Sequence, residues 1–513
     1  LRGKKPHEIA RFLDTLNALA PQKSFHYNAA MKNDTPDYEQ TPVMSNRCKF
    51  IALALTAIII ALLPSTARAR IDLSSALADP GFDPNHTSVV VAEASTGKVI
   101  ASHMPNLKLN PASCAKILTS VTALAQLGPD YRFTTSFYAD RMPVGGSIGT
   151  LYVKGSGDPS LINEELERIA MIVRAMGITR ITDGIVIDDS FFDSYEYPRK
   201  GGNAGRAYTA KTSAVSVNFN SIGVEVAPGK PGGAGKIELK PPVDLFTIVN
   251  KLVTRSKTSI AIALGTGKSG NGLTVTGRIS PKAGQQIFWR AIPDPLSYAG
   301  AVMVTIFGEG GIAISGPTRR GIVPTSAVLL TEEKSRPLIE IIRDMNKLST
   351  NFVAEQLVKH MGGVFKGAPG STAKGVAVIQ EYVDSIGIPQ GSIVLENGSG
   401  LSSVSKVSAD QLVKVLVAAY RNRAIQTDFM SSLSVLGIDG TMKKWMKMEP
   451  TLTGIVYAKT GTLDSVSTLA GYVPMPDGSI AAFAILANGL PKGPWAAKKA
   501  QLGIVKQIAG VSR

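Results

Sequence analysis

The chain has 513 residues, 44% of them hydrophobic and only 18% charged, with 50 glycines and 30 prolines. This composition excludes a disordered or fibrous chain and leaves room for two or three globular domains rich in turns. The formal net charge is +16.

The first 69 residues stand apart. A short basic segment, SNRCK at 45–49, precedes an apolar run of 14 residues, FIALALTAIIIALL at 50–63, and the small-residue site Ala67-Arg-Ala69. That three-part layout predicts a cleaved secretory signal over 44–69, with Met44 as the start, because a membrane anchor needs about 20 apolar residues. Cys48 precedes the apolar run, against a lipoprotein cleavage site, and residues 1–43 read as an upstream extension without a function of their own. Beyond residue 69 the chain keeps 46 basic and 34 acidic side chains, a formal +12. For an exported protein the anionic partners of such a surface are lipid head groups and carboxylate-bearing wall polymers rather than nucleic acid. A merely soluble basic surface is the competing reading. Cys114 is the one cysteine after residue 69, so no internal disulfide can form there.

Next, TSVVVAEASTGKVIASH at 87–103 predicts a hairpin about the turn Ser95-Thr-Gly-Lys98. In PASCAKILTSVTALAQLG, Pro111 signals a helix start, and Ile117, Leu118, Val121, Leu124 and Leu127 recur at helical spacing. Near the C-terminus, 455–463, 468–474 and 479–488 predict three strands and 494–509 a helix. The two ends together predict five strands and two helices of one antiparallel sheet. Between them, 147–195 alternates strand and helix, 213–285 is β-prone, and 335–425 returns to helices. This order predicts one domain, 70–135 with 320–513, split by an insertion domain, 136–212 with 286–319, into which a β-rich segment, 213–285, is nested.

The chemistry narrows by elimination. There is no Gly-x-Ser-x-Gly elbow and no His-Glu-x-x-His, and only His86, His103 and His360 follow the signal, each read as an ordinary surface or core residue. Gly265-Thr-Gly-Lys-Ser269 fails as a phosphate loop, because Ile262 stands where that motif needs glycine. A serine hydrolase without a useful histidine needs a lysine held neutral, and since free lysine titrates at about 10.4, burial and a second cation must lower it. Ser113 has Lys116 one helical turn away, and Lys459 lies in Ala458-Lys-Thr-Gly-Thr462 on a strand expected to form a sheet edge. Ser349-Thr-Asn351 is a third element, placed on a predicted helix. A helix-capping role for Ser349 and an exposed edge position for Lys459 are the plainer readings of each. Cys114 points about 100° around the helix from Ser113 and is expected to pack in the core.

Ser113-x-x-Lys116, Ser349-x-Asn351 and Lys459-Thr-Gly461, in this order, resemble the motifs of the penicillin-binding proteins and serine β-lactamases. The finer resemblance is to the D-alanyl-D-alanine carboxypeptidase/endopeptidase family, the class C low-molecular-mass penicillin-binding proteins. Supporting it are Gly155-Ser-Gly-Asp-Pro-Ser-Leu161, Met345-Asn-Lys347, Gly398-Ser-Gly-Leu-Ser402, Asp439-Gly-Thr441 and the long insertion between the first two motifs. Thr350, Asn397 and Met442 depart from its usual Asp, Asp and Leu. The resemblance implies an α+β fold, a β-lactamase/transpeptidase-like domain with a five-stranded antiparallel sheet flanked by helices. It implies a periplasmic enzyme that acts on peptidoglycan D-alanyl-D-alanine peptides, is acylated by β-lactams, and needs no metal or cofactor. Ser113 would be the nucleophile, with Lys116, Ser349, Asn351 and Lys459 completing the catalytic set. Ser113 and Thr462 N–H groups would form the oxyanion hole, and Thr460, Gly461 and Thr462 would bind the terminal carboxylate. Whether Lys116 or Lys459 is the base stays open. A β-lactamase or esterase on the same fold and a non-catalytic wall-binding protein are the rival readings. The segment PWAAKKAQLGIVKQIAG is expected to pack on the sheet, with a weak membrane-surface helix as the alternative.

Overall fold

The computed structural model describes residues 71–194, 205–267 and 270–511. The expected extension over 1–43 and signal over 44–69 lie outside the described residues. Strand β1 (Thr87–Glu93) is buried along nearly its whole length. A strand that alternates faces can be apolar at every position only if both faces of its sheet are covered. Val90 and Ala92 enter one core and Val89 and Val91 the other.

The remaining strands of this sheet are β2 (Val99–His103), β3 (Ser434–Val435), β4 (Tyr457–Leu463), β5 (Val466–Pro474) and β6 (Ile480–Asn488). Their order is β3-β4-β5-β6-β1-β2, antiparallel throughout. All five expected strands are present. The sheet has six strands rather than five, because the two-residue β3 pairs with Tyr457 and Ala458 of β4. Beyond Ala458 that pairing stops, so the β4 segment from Lys459 to Leu463 borders the cleft.

Helix α1 (Ala115–Leu127) follows a 3-10 turn at Ala112–Cys114, as the Pro111 signal predicts. Helices α2 (Leu338–Leu348), α3 (Asn351–Lys366), α4 (Thr372–Ser385) and α5 (Ala409–Arg421) join α1 over one face of the sheet. Helix α6 (Gly493–Ala509) covers the other face, burying Leu502, Ile504, Val505 and Ile508 in a core shared with Val473, Phe483 and Ile485. The C-terminal segment therefore packs on the sheet as expected.

The insertion builds a third core around Phe137, Val153, Ile169, Ile187, Val224 and Tyr298. Its largest sheet has the order Thr318–Arg320, Ile185–Asp188, Leu151–Gly155, Thr134–Ala139, Val328–Lys334. Strand pairing crosses two of the expected boundaries. Val328–Lys334, assigned to the outer domain, pairs with Thr134–Ala139 in the insertion's sheet. Gln286–Ala291, placed after the nested segment, pairs with Ser221–Ala227 inside it. Pairing partners this distant in sequence leave no local signal.

His360 of α3 joins the insertion to the outer domain. Its ring sits 2.7 Å from Ser156 O and 2.8 Å from the Tyr131 hydroxyl, packed against Phe133. Burial pushes its pKa down to about 4, whereas an unfolded histidine titrates near 6.5. Between those values the unfolded chain binds a proton that the folded chain refuses, so the stability carried by the neutral ring is intact above about 6.5 and lost as pH falls to about 4. Urea unfolding across this range should show the wild type losing about 3 kcal/mol relative to a His360→Gln variant, and parallel pH curves for the two would contradict it.

Candidate active site

Three segments converge on Ser113. The turn that carries it is held by Asn110, whose Oδ1 accepts from Ala112 N at 2.8 Å, and Ala112 itself has a φ of +45°. Such a conformation costs a non-glycine residue on the order of 1 kcal/mol or more and must be fixed by its surroundings. Gly400 provides part of that fixation, since a Cβ there would lie 1.8 Å from Ala112 O. Strand β4 approaches from the other side. A Cβ on Gly461 would lie 2.9 Å from Ser113 N and 2.2 Å from Thr468 Oγ1, so glycine is what lets the strand reach the serine turn.

The second segment differs from its expectation. Ser349 does not lie within a helix; it ends α2 in the left-handed conformation, φ +60° and ψ +37°, and α3 starts afresh at Asn351. The break turns the Ser349 and Asn351 side chains toward the same cleft. Lys347 braces it, its Nζ donating to Asp439 Oδ2 at 2.6 Å and to Leu433 O at 3.0 Å. The expected Asp439-Gly-Thr441 stretch thereby supports the site, and Thr441 Oγ1 lies 2.8 Å from Thr460 Oγ1.

Lys116 is wholly buried. Its Nζ donates to Asn351 Oδ1 and to Ser399 O, each at 2.7 Å, and lies 3.1 Å from Ser113 Oγ. Asn351 is oriented from both ends, because its Nδ2 donates to Tyr208 O, a carbonyl of the insertion, at 3.2 Å. Lys459 is also wholly buried, and its Nζ donates to Ser349 Oγ and Thr460 O, each at 2.8 Å. Burial, reinforced by the Lys459 ammonium, holds the Lys116 amine well below the usual lysine range, with Glu355 opposing. Burial lowers Lys459 to about 8.

The expected residues Ser113, Lys116, Ser349, Asn351, Lys459, Thr460, Gly461 and Thr462 thus meet in one cleft, with Thr462 exposed on β4. Cys114 turns away into the core, where its thiol donates to Lys459 O and Thr468 Oγ1 donates to its sulfur, both at 3.2 Å. Burial raises its pKa, so the thiol stays protonated and packs. Sequence reasoning missed Tyr208 and Glu355, and it quoted the Gly398–Ser402 stretch without assigning Ser399 a contact. Glu355 carried a local signal, its place one turn beyond Asn351. Asn397, at a departure from the family pattern, closes the Gly398–Leu401 turn by accepting from Gly400 N at 2.9 Å and donating to Leu401 O at 3.0 Å.

Residues 69–511 match the D-Ala-D-Ala carboxypeptidase 3 (S13) family. A D-alanyl-D-alanine carboxypeptidase of Actinomadura sp. (strain R39) is 32% identical over 441 residues, 82% of this chain and 81% of that protein. The D-alanyl-D-alanine carboxypeptidase DacB of Haemophilus influenzae is 24% identical over 432 residues, 82% of this chain and 89% of its own. The crystal structure of penicillin binding protein 4 from Haemophilus influenzae shares the fold, with a TM-score of 0.74 at 23% identity over 84% of this chain and 98% of that one. The same protein complexed with a β-lactam gives a TM-score of 0.69. With a match that takes in all three motifs and the insertion between them, the chain belongs to the D-Ala-D-Ala carboxypeptidase 3 (S13) family.

Proposed function

We propose that Ser113 is the nucleophile of this serine-type D-alanyl-D-alanine carboxypeptidase and Lys116 its general base. One observation carries the assignment. A neutral amine has two N–H bonds and one lone pair, and Asn351 Oδ1 and Ser399 O take both N–H bonds. The third contact, Ser113 Oγ at 3.1 Å, is then where the lone pair points, and a lone pair facing a hydroxyl accepts its proton.

Attack on the carbonyl between two D-alanines forms the Ser113 ester while Lys116 takes the hydroxyl proton. The C–N bond breaks as Ser349, backed by Lys459, relays that proton from Lys116 to the leaving amine, which returns Lys116 and Ser349 to their starting states. D-alanine departs, and water then cleaves the ester, its proton restoring the hydroxyl of Ser113. The N–H groups of Ser113 and Thr462 are proposed to hold the oxyanion, a contribution of about 2.7 to 4 kcal/mol per donor in other enzymes. Thr460 and Thr462, beside the protonated Lys459, would hold the substrate's terminal carboxylate. A cross-linked peptide presents the same carbonyl with a different leaving amine, so the same machinery would serve as an endopeptidase. A β-lactam presents a ring amide whose amine stays tethered after opening, which supports β-lactams as covalent inhibitors. We place the enzyme in the periplasm on its N-terminal pattern; no helix among the described residues is long and apolar enough to cross a membrane. The domain division is likewise our reading, with the insertion extended to Lys334.

Fluorescent penicillin should label the wild type and Cys114→Ala but not Ser113→Ala, and labelled Ser113→Ala would overturn the nucleophile. Lys116→Ala should slow acylation by about 10²-fold or more. Catalysis needs Lys116 neutral and Lys459 protonated. The second-order acylation rate should therefore rise with pH through a limb below the ordinary lysine range and fall again near the Lys459 value of about 8. Lys459→Arg, which does not titrate there, should remove the falling limb even where the rate is lower, and a limb that persists in that variant would reassign it.

A further inference from the structure

Glu355 lies on α3 one turn beyond Asn351, on the same helical face. Its carboxylate is buried, 8% exposed, and accepts from the backbone N–H of Gly398 and of Ser399, each at 3.2 Å. The same two residues turn their carbonyls to α1: Gly398 O accepts from Thr119 Oγ1 at 2.8 Å and Ser399 O from Lys116 Nζ at 2.7 Å. A carboxylate in this position does two things. It anchors the loop whose carbonyl occupies one N–H of the Lys116 amine, and it places a negative charge near that buried amine. The charged or titratable groups acting on Lys116 are Lys459 from β4, Cys114 from its own turn and Glu355 from α3. Lys459 disfavours the protonated amine and Glu355 favours it, while the Cys114 thiol, which stays protonated, contributes no opposing charge.

We propose that Glu355 is a positioning residue for the reaction: it fixes the Gly398–Ser399 backbone that aims the Lys116 amine at Ser113, and it supplies a buried counter-charge for the proton Lys116 takes. A lysine base that is too easily deprotonated is a weak base, and one that is too easily protonated is occupied at working pH. Glu355 sets the balance against Lys459. The inference rests on the assignment of Lys116 as the base.

Glu355→Gln retains the shape and one acceptor oxygen but removes the charge. Its acylation by a β-lactam, followed at Ser113 by mass spectrometry of the modified peptide, should show the rising limb of the pH–rate profile moved to lower pH by about one unit or more. The plateau should be about tenfold lower, as expected of a weaker base. Glu355→Asp, which keeps the charge, should return the limb toward its wild-type position. A profile that keeps its limb, whether the rate is unchanged or lowered uniformly, overturns the inference, since a purely structural role would lower the rate alone. If Glu355→Gln does not fold, the wild type itself is read with δ-¹³C-labelled glutamate. A carboxyl resonance that steps with the rising limb, and whose step is lost in Lys116→Arg, supports the coupling, and the absence of any such resonance overturns it. Acylation of the wild type away from Ser113 would end the base assignment, whereas acylation at Ser113 with an unmoved limb would end this inference alone.

Discussion

Two lysine side chains buried in one cleft repel each other and have each lost the water that would stabilise their charge. That pair can exist only if the protein supplies polar partners in place of the lost water. Lys116 is met by Asn351, Ser399 and Ser113, and Lys459 by Ser349 and Thr460. These partners come from four separate parts of the chain, so the helices and the sheet edge must approach more closely than ordinary side chains allow. Gly461 and Gly400 make that approach possible, and Ala112 and Ser349 accept unfavourable backbone conformations to complete it. Strain of this kind, at residues adjoining the reacting groups, is tolerated because the surrounding contacts over-determine it.

The sheet provides the rigidity these approaches need. Its central strands are buried on both faces, between α1 with its neighbouring helices on one side and α6 on the other. Strand β4 therefore holds Lys459 on a fixed scaffold while leaving the edge past Ala458 toward the cleft. The third core, inside the insertion, shares few side chains with either of these, which is how a segment of this length can interrupt the domain without breaking its packing.

Much of this was legible in the sequence, and for identifiable reasons. The Ser113–Lys116 spacing follows from helical periodicity, and the strands at 457–463, 466–474 and 480–488 follow from β-branched and apolar runs bounded by turns. What was not legible is non-local. The break at Ser349 was hidden because Leu348, Ser349 and Thr350 sit between two amphipathic stretches that read as one continuous helix. Strand β3 has two residues, too few to show any period. Glu355 sits in the run Val353-Ala-Glu-Gln-Leu-Val358, where a glutamate reads by default as a solvent-facing residue; its burial appears only once the Gly398–Ser399 loop is in place. The insertion's boundaries depend on strand partners far along the chain.

The insertion also reaches into the cleft. The carbonyl of Tyr208 accepts from the amide nitrogen of Asn351, and the other end of that amide receives the Lys116 amine. One planar group is thus shared between the backbone of the insertion and the buried Lys116 amine. An outer domain excised and closed with a short loop would keep Ser113, Lys116, Ser349 and Lys459, yet its Asn351 amide would lose the Tyr208 acceptor that fixes which end faces Lys116. What the insertion contributes to the cleft is thus one fixed acceptor, and with it the orientation of the Asn351 amide.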